Sequence, residues 1–193
     1  MLMKHVATKD QIIQFLEQKL EPNRFDHVIS VRDTAVALAE KYGVERQKVE
    51  LSALLHDCAK WMKNDQLIKI CQRNQIEVDF IESRVPSLLH AKVGALLAHI
   101  QFNVADSSIL QAIESHTTGM PSMSELDQIL FVSDFCEPLR NYPAASKIRK
   151  IANTSLKKAT FEVCRQKLKS QIRGQRIIHP RTVEVFNQFL IEI

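Results

Sequence analysis

Glycine and proline are scarce in this chain, four and six in 193 residues. A turn-rich all-β protein needs more of both, so the shortage argues against that class and favours helices. The four cysteines (Cys58, Cys71, Cys136 and Cys164) form no Cys-x-x-Cys pair. Their wide spacing points to reduced, partly buried thiols. No apolar run is long enough to span a bilayer and no signal peptide is read at the N-terminus, so the expectation is a cytoplasmic protein with no membrane partner.

What is present is an ordinary globular composition, 45% hydrophobic and 25% charged. A chain of this length buries about 70% of the surface its unfolded form exposes, so it needs neither disulfide nor metal merely to fold. One domain is expected. The net charge of +4 is uneven, because Lys147 to Arg181 holds eleven Lys or Arg against one acid, Glu162. Such a stretch can attract nucleic acid or an anionic ligand; a solvated helix face with a basic tail is the plainer account.

Apolar residues recur at three-and-four spacing almost throughout, and no strand-length alternation or internal repeat interrupts them. The pattern predicts helices from after Thr8 or Asp10 to before Pro22, Phe25 to Tyr42, Arg46 to Met62 and Asn64 to Arg73, then an extended link to Pro86. Further helices follow at Ser87 to Ile100, Ser107 to His116, Ser122 or Ser124 to before Pro138, Ala145 to Ala152, Thr154 to Ile172, and Pro180 to the end. The fold class is an all-α, single globular helical bundle.

Several polar residues sit on apolar faces, where an ionised group is costly without a counter-charge. His56-Asp57 ends the run Leu-Ser-Ala-Leu-Leu, and Asp134 lies within Ile-Leu-Phe-Val-Ser-Asp-Phe-Cys. His27 stands in the first turn of its helix. For an isolated His-Asp dipeptide the plain reading is a structural ion pair, here with Lys60. His27, His56, Asp57 and Asp134, drawn from three helices, can instead converge on one metal ion, as in helix-bundle metal sites. His90 and His116 are also placed to point inward, so six groups can hold two metals with Asp57 as a bridge. A mixed nitrogen and oxygen set suits iron, manganese, zinc or cobalt. His5, His99 and His179 have weaker claims as ligands. Gly94, one turn after His90, lets another backbone come close on that face.

The ordered set His27, His56-Asp57, Asp134 resembles the HD-domain superfamily of metal-dependent phosphohydrolases, and more closely its YqeK branch. The matching stretches are Arg24-Phe-Asp-His27-Val, Leu-Leu-His56-Asp57-Cys-Ala-Lys60 and Leu-Leu-His90-Ala-Lys-Val-Gly94-Ala. They continue with His116-Thr-Thr-Gly119, Asp134-Phe-Cys-Glu137-Pro-Leu-Arg140 and Gly174-Gln-Arg-Ile-Ile-His179-Pro. Cys136 and Ser133 depart from the aliphatic residue and alanine more usual there, without removing a ligand. The resemblance divides the chain into an N-terminal helix, residues 1–23, packed on an HD domain, residues 24–193, with basic C-terminal helices.

What the resemblance implies is a symmetrical hydrolase that converts diadenosine tetraphosphate into two ADP, with iron as the expected metal, one or two ions. Asp57 and Lys60 are then the candidate catalytic residues, and His90 and His116 ligate a second metal or the phosphates. Substrate contacts are expected from Arg24, Lys60, Thr117, the Gly119 backbone N–H and Arg140, with Gln175, Arg176 and His179 in a loop that closes over the nucleotide. Glu137 is placed to orient a ligand or Arg140. Nucleic acid is not the expected partner, and an oligomer is compatible with the sequence.

Three alternatives stand beside this reading. Another HD phosphohydrolase can act on a monophosphate, a deoxynucleotide or an alarmone, although the chain lacks His-Asp-x-x-Glu-Asp and the Gly-Tyr-Pro signature of cyclic-dinucleotide phosphodiesterases. A nucleic-acid-binding module with a vestigial site is the second. An HD-type iron oxygenase is the third, disfavoured because Lys60 and Arg140 suit a polyphosphate.

Overall fold

The structure, a computed structural model, describes residues 6–193, so His5 lies outside the described residues. Eleven helices and one 3-10 turn account for the architecture, and no strand occurs among the described residues. They are α1 (Lys9–Lys19), α2 (Pro22–Tyr42), α3 (Arg46–Leu55), α4 (Asn64–Arg73), α5 (Phe80–Arg84), the 3-10 turn Pro86–Leu89, α6 (His90–Ile100), α7 (Ser107–Ser115), α8 (Glu125–Cys136), α9 (Pro143–Ala152), α10 (Leu156–Arg173) and α11 (Pro180–Glu192).

Local chemistry sets most of the boundaries. Thr8 and Gln11 form a reciprocal capping box at the start of α1, and Ser124 does the same with Asp127 for α8. Pro22, Pro143 and Pro180 occupy the first helical position, where a missing N–H costs nothing. Gly43, at φ +70°, closes α2 in the left-handed conformation.

Two expectations are corrected. α3 ends at Leu55, not Met62, and successive tight turns follow, with Cys58, Lys60 and Met62 donating to the carbonyls of Leu55, Asp57 and Ala59. On a continuing helix the side chains of His56 and Asp57 would diverge by about 100°; unwinding allows both to face one point. The link before Pro86 is not wholly extended, because Asp79 and Glu82 form a capping box around the five-residue α5. Lys92 reaches across from α6 to bond Glu82 Oε2 and the Glu77 carbonyl, both at 2.7 Å.

Three apolar cores hold the helices. The largest joins α2, α3, α8, α9, α10 and α11 around Val31, Leu130, Phe131, Ile148, Val163 and Phe189. A second packs α1 on α2, α3, α6 and α7 through Ile12, Leu16, Leu54, Leu55 and Ile113. A smaller third joins Ala59, Leu67, Cys71, Leu89 and Val93. α3 contributes to the first two cores, and its C-terminal end carries His56 into the space between them. A buried residue such as Phe131 contributes about 3–5 kcal/mol when compared with alanine.

Candidate metal and phosphate site

Three of the histidines are mounted in one way. His56 follows the last residue of α3, His116 follows the last residue of α7, and His90 follows the last residue of the 3-10 turn and opens α6. Helix ends leave carbonyls without N–H partners, and each imidazole uses one. Nδ1–H of His56 donates to Ala53 O at 2.7 Å, that of His90 to Ser87 O at 2.5 Å, and that of His116 to Ile113 O at 2.6 Å. This fixes the tautomer and turns each Nε2 inward.

The inward atoms converge on two carboxylates. Asp57 Oδ1 lies 3.2 Å from His90 Nε2 and 3.7 Å from His116 Nε2, while Oδ2 lies 3.7 Å from His56 Nε2. Asp134 Oδ1 is 3.1 Å from His27 Nε2 and 4.0 Å from His56 Nε2. The four imidazoles form a row, with His27–His56, His56–His116 and His116–His90 ring centres 5.6, 5.0 and 5.1 Å apart. Two overlapping sets have their ligand atoms within 4.8 Å of one another: His27, His56 and Asp134, and His56, Asp57 and His116.

This arrangement fits a divalent cation. His56 Nε2 is buried with no hydrogen-bond partner, a costly state for an acceptor. His90 Nε2 and His116 Nε2 approach to 3.2 Å, which needs a shared proton or a cation between them. His27 Nδ1–H donates to Glu137 Oε1 at 3.0 Å, the carboxylate–imidazole pairing that steadies metal-binding histidines. Oε2 of the same carboxylate accepts from Ser30 Oγ and the Leu139 N–H, each at 2.6 Å.

The electrostatics follow from burial and neighbours. Burial opposes ionisation of Asp57, yet His56, His90 and Lys60 outweigh it and hold the carboxyl well below its usual range. Asp134 is likewise depressed, burial being outweighed by the His27 hydrogen bond and by His56 and Lys167. Desolvation pushes His116 well below its usual value, with His56 and His90 adding to it, and desolvation also lowers His56. His27 is raised, because Asp134 and Glu137 overcome its burial.

Four cations surround the cluster. Arg24 Nη1 donates to Asp57 Oδ2 at 3.0 Å. The Lys60 ammonium stands 3.3 Å from His90 Nε2 and 3.4 Å from its Nδ1; desolvation lowers its pKa, with Asp57 opposing. Arg140 is 3.8 Å from Asp134 Oδ1 and 3.6 Å from Glu137 Oε1. Lys167 donates to the Thr117 carbonyl at 2.7 Å and lies 4.3 Å over the Phe131 ring; desolvation lowers its pKa against the pull of Asp134.

Residues 24–139 match the HD domain family. This chain belongs to that family. It is 33% identical over 184 residues, 95% of the chain and 98% of the relative, to the symmetrical bis(5'-nucleosyl)-tetraphosphatase of Halalkalibacterium halodurans. The protein of that name from Bacillus subtilis is 31% identical, with 93% of this chain and 96% of the relative covered. A Clostridium acetobutylicum crystal structure described as an HD superfamily hydrolase involved in NAD metabolism superposes with a TM-score of 0.94 at 33% identity, covering 97% of this chain and all of that one.

Within this HD domain the six expected ligand groups lie together, and the surrounding residues depart from expectation in four places. Arg24 of α2, expected at the substrate, pairs with Asp57, and Lys60 lies against His90 without forming the structural pair of the plain reading. Gly119 does not present a free N–H, because it donates to Ser115 O at 2.7 Å; at φ +72° it closes α7. Gln175 and Arg176 are exposed, and Arg176 folds back onto Ser170, so the loop's contribution to the neighbouring cavity comes from Ile177, Ile178 and His179. The cavity-facing His179 is also structural: Nε2–H donates to Asp79 Oδ2 at 2.9 Å while Nδ1 accepts the Arg181 N–H. Thr117 behaves differently, its Oγ1 standing 3.1 Å from His116 Nε2 and 3.4 Å from His90 Nε2. At Gly94 a β-carbon would meet the His56 carbonyl at 3.5 Å, an ordinary contact, so the approach there is close without demanding glycine.

Lys167 is one of the eleven basic residues between Lys147 and Arg181, and the sequence does not single it out by composition. Its signal was position: it falls three and four residues after Cys164 and Val163, on the buried stripe of α10.

Two cavities flank the HD domain's cluster. One, about 500 Å³, is lined by Thr117, Asp134, Phe135, Arg140, Tyr142 and Lys167 among others. The other, about 960 Å³, is lined by Arg24, His27, Lys60, Trp61, Leu139 and Arg140 among others.

Proposed function

We propose that this protein is a metal-dependent hydrolase that cleaves diadenosine tetraphosphate symmetrically into two ADP. The observation that carries the reading is the unpartnered, buried His56 Nε2 among inward-facing imidazoles and carboxylates, ringed by Arg24, Lys60, Arg140 and Lys167. That is a cation site with a polyphosphate-sized field of positive charge beside it. The substrate is the one in the names of the relatives from H. halodurans and B. subtilis.

His27, His56, Asp57 and Asp134 would hold the metal, and His90 and His116, whose Nε2 atoms present lone pairs because Nδ1–H is committed to a carbonyl, would hold a second ion, donation to phosphate requiring a protonated ring. A divalent cation bound there supplies a water activated for attack on phosphorus near neutral pH and neutralises phosphoryl charge. Asp57, held as a carboxylate by its neighbours, can accept a proton or a hydrogen bond from the attacking water. Lys60 and Arg140 face the charge that develops as the central phosphoanhydride opens, and the leaving ADP departs as an anion stabilised by them. Lys167 fixes the His116-Thr117 turn through the Thr117 carbonyl and faces the smaller cavity, where one adenosine stacks near the Phe135–Tyr142 pair, whose ring centres are 5.6 Å apart.

Iron is the proposed metal, as the resemblance to the YqeK branch implies; the nitrogen and oxygen donors suit manganese, cobalt and zinc as well. Residues 24–193 form the catalytic unit, with α1 packed on it through Ile12 and Leu16. No described helix is long and apolar enough to cross a membrane, and a cytoplasmic location is part of the proposal. The test is product analysis with metal-loaded protein and a nucleotide panel. ADP as sole product from diadenosine tetraphosphate is expected; an untouched substrate, or ATP plus AMP, contradicts the reading.

A further inference from the structure

The larger cavity, about 960 Å³, opens beside the metal cluster. His27 lines it, Asp134 lines the smaller one, and His27 Nε2 and Asp134 Oδ1 are 3.1 Å apart. Arg140 lines both. The two cavities therefore meet at the metal cluster, and a ligand can run from one to the other past it.

At the inner end of the larger cavity stand Arg24 and Lys60, a pair of cations beside Asp57. On its walls are Trp61, 38% exposed, and Leu139, 59% exposed. Exposed apolar side chains in a concave site mark where a ligand's apolar face rests. The indole is fixed in orientation, since Nε1–H donates to the Cys58 carbonyl at 3.0 Å. Lys19 stands over the ring at 5.0 Å from an exposed position, so it is easily displaced. Asn23, also on the wall, offers both a donor and an acceptor to a base edge.

We infer that the cavity at Trp61 is a second nucleoside subsite, in which one adenine stacks on Trp61 while its two phosphates run inward past Arg24 and Lys60 to the metal cluster. The other nucleoside lies in the smaller cavity at Tyr142 and Lys167. With one nucleoside diphosphate arm on each side, the bond at the cluster is the central one, and symmetry of cleavage follows from two subsites of equal reach. The inference rests on the proposed activity and adds the residue that reads the second base.

The single tryptophan of the chain makes the test direct. ADP added to metal-loaded protein quenches Trp61 fluorescence, and calorimetry counts two ADP per chain. Trp61→Ala raises KM for diadenosine tetraphosphate about tenfold or more, the range of base–aromatic stacking, with kcat changed much less, and Trp61→Phe recovers most of the loss. One ADP per chain, unquenched fluorescence at saturation and unchanged Trp61→Ala kinetics, with ADP still formed, overturn the subsite and leave the activity standing. Failure of the wild type to form ADP overturns the activity and the subsite with it.

Discussion

Glu137 stands behind His27, its Oε1 3.0 Å from Nδ1, while His27 Nε2 faces Asp134 at 3.1 Å. The carboxylate also ties the end of α8 to Ser30 of α2, so it holds the ring and the two helices that carry it. Glu137→Gln keeps the shape and removes the charge. Metal affinity, measured against a competing chelator, is expected to fall about 10–100-fold, with circular dichroism unchanged. Unaltered affinity would show that His27 needs no anchor.

In the proposed reaction, variants of Asp57 and Lys60 distinguish metal binding from catalysis. Asp57→Ala removes the carboxylate that faces His56, His90 and His116 and is expected to abolish turnover. Lys60→Ala is expected to leave metal bound and lower kcat about 10²-fold, the scale of losing one charged contact to a transition state. Equal metal loss in both variants would assign Lys60 to the cluster instead of the substrate.

All four cysteines are free and buried. Burial pushes the Cys136 and Cys164 thiols up to about 12, and raises Cys58 and Cys71 as well. A thiol reagent at pH 8 is expected to label none of them in the native protein and all four after denaturation, since only the thiolate reacts. Rapid native labelling would contradict the packing around α3, α8 and α10.

Asp106 caps α7, the helix that delivers His116, accepting from Ser108 N–H at 2.9 Å and from Lys48 Nζ at 2.9 Å. Ser108 and Lys48 together lower its pKa to about 2. A depressed carboxyl contributes stability that is full above its unfolded value, near 3.8, and is lost as pH falls through the folded one. Asp106→Ala is expected to cost about 1 kcal/mol at pH 7, and the gap to wild type should narrow as pH falls from about 4 toward 2. Urea unfolding across that window checks it; a gap independent of pH would refute the charged cap.

How much of this was legible beforehand depended on what each residue's signal needed. Asn64–Arg73 could be read to the residue because its apolar spacing and ends are local. α5 was missed because five residues carry no period, and its cap depends on Asp79 and Glu82 with Lys92 reaching over from α6. Lys60 was the natural partner for Asp57 by sequence distance, whereas Arg24 comes from 33 residues away through the packing of α2 on α3. The polar groups on apolar faces were visible because their burial is costly wherever they go. Which cation answers each carboxylate is tertiary information.

In the proposed site His27, His56, Asp57 and Asp134, with His90 and His116, hold metal that serves a nucleotide phosphate. Elemental analysis with anomalous scattering from crystals holding ADP tests it most directly. Iron is expected, one or two ions, with an anomalous peak within bonding distance of Asp57 and phosphate beside Lys60 and Arg140. Density for ADP with no metal within reach of Asp57 would contradict it.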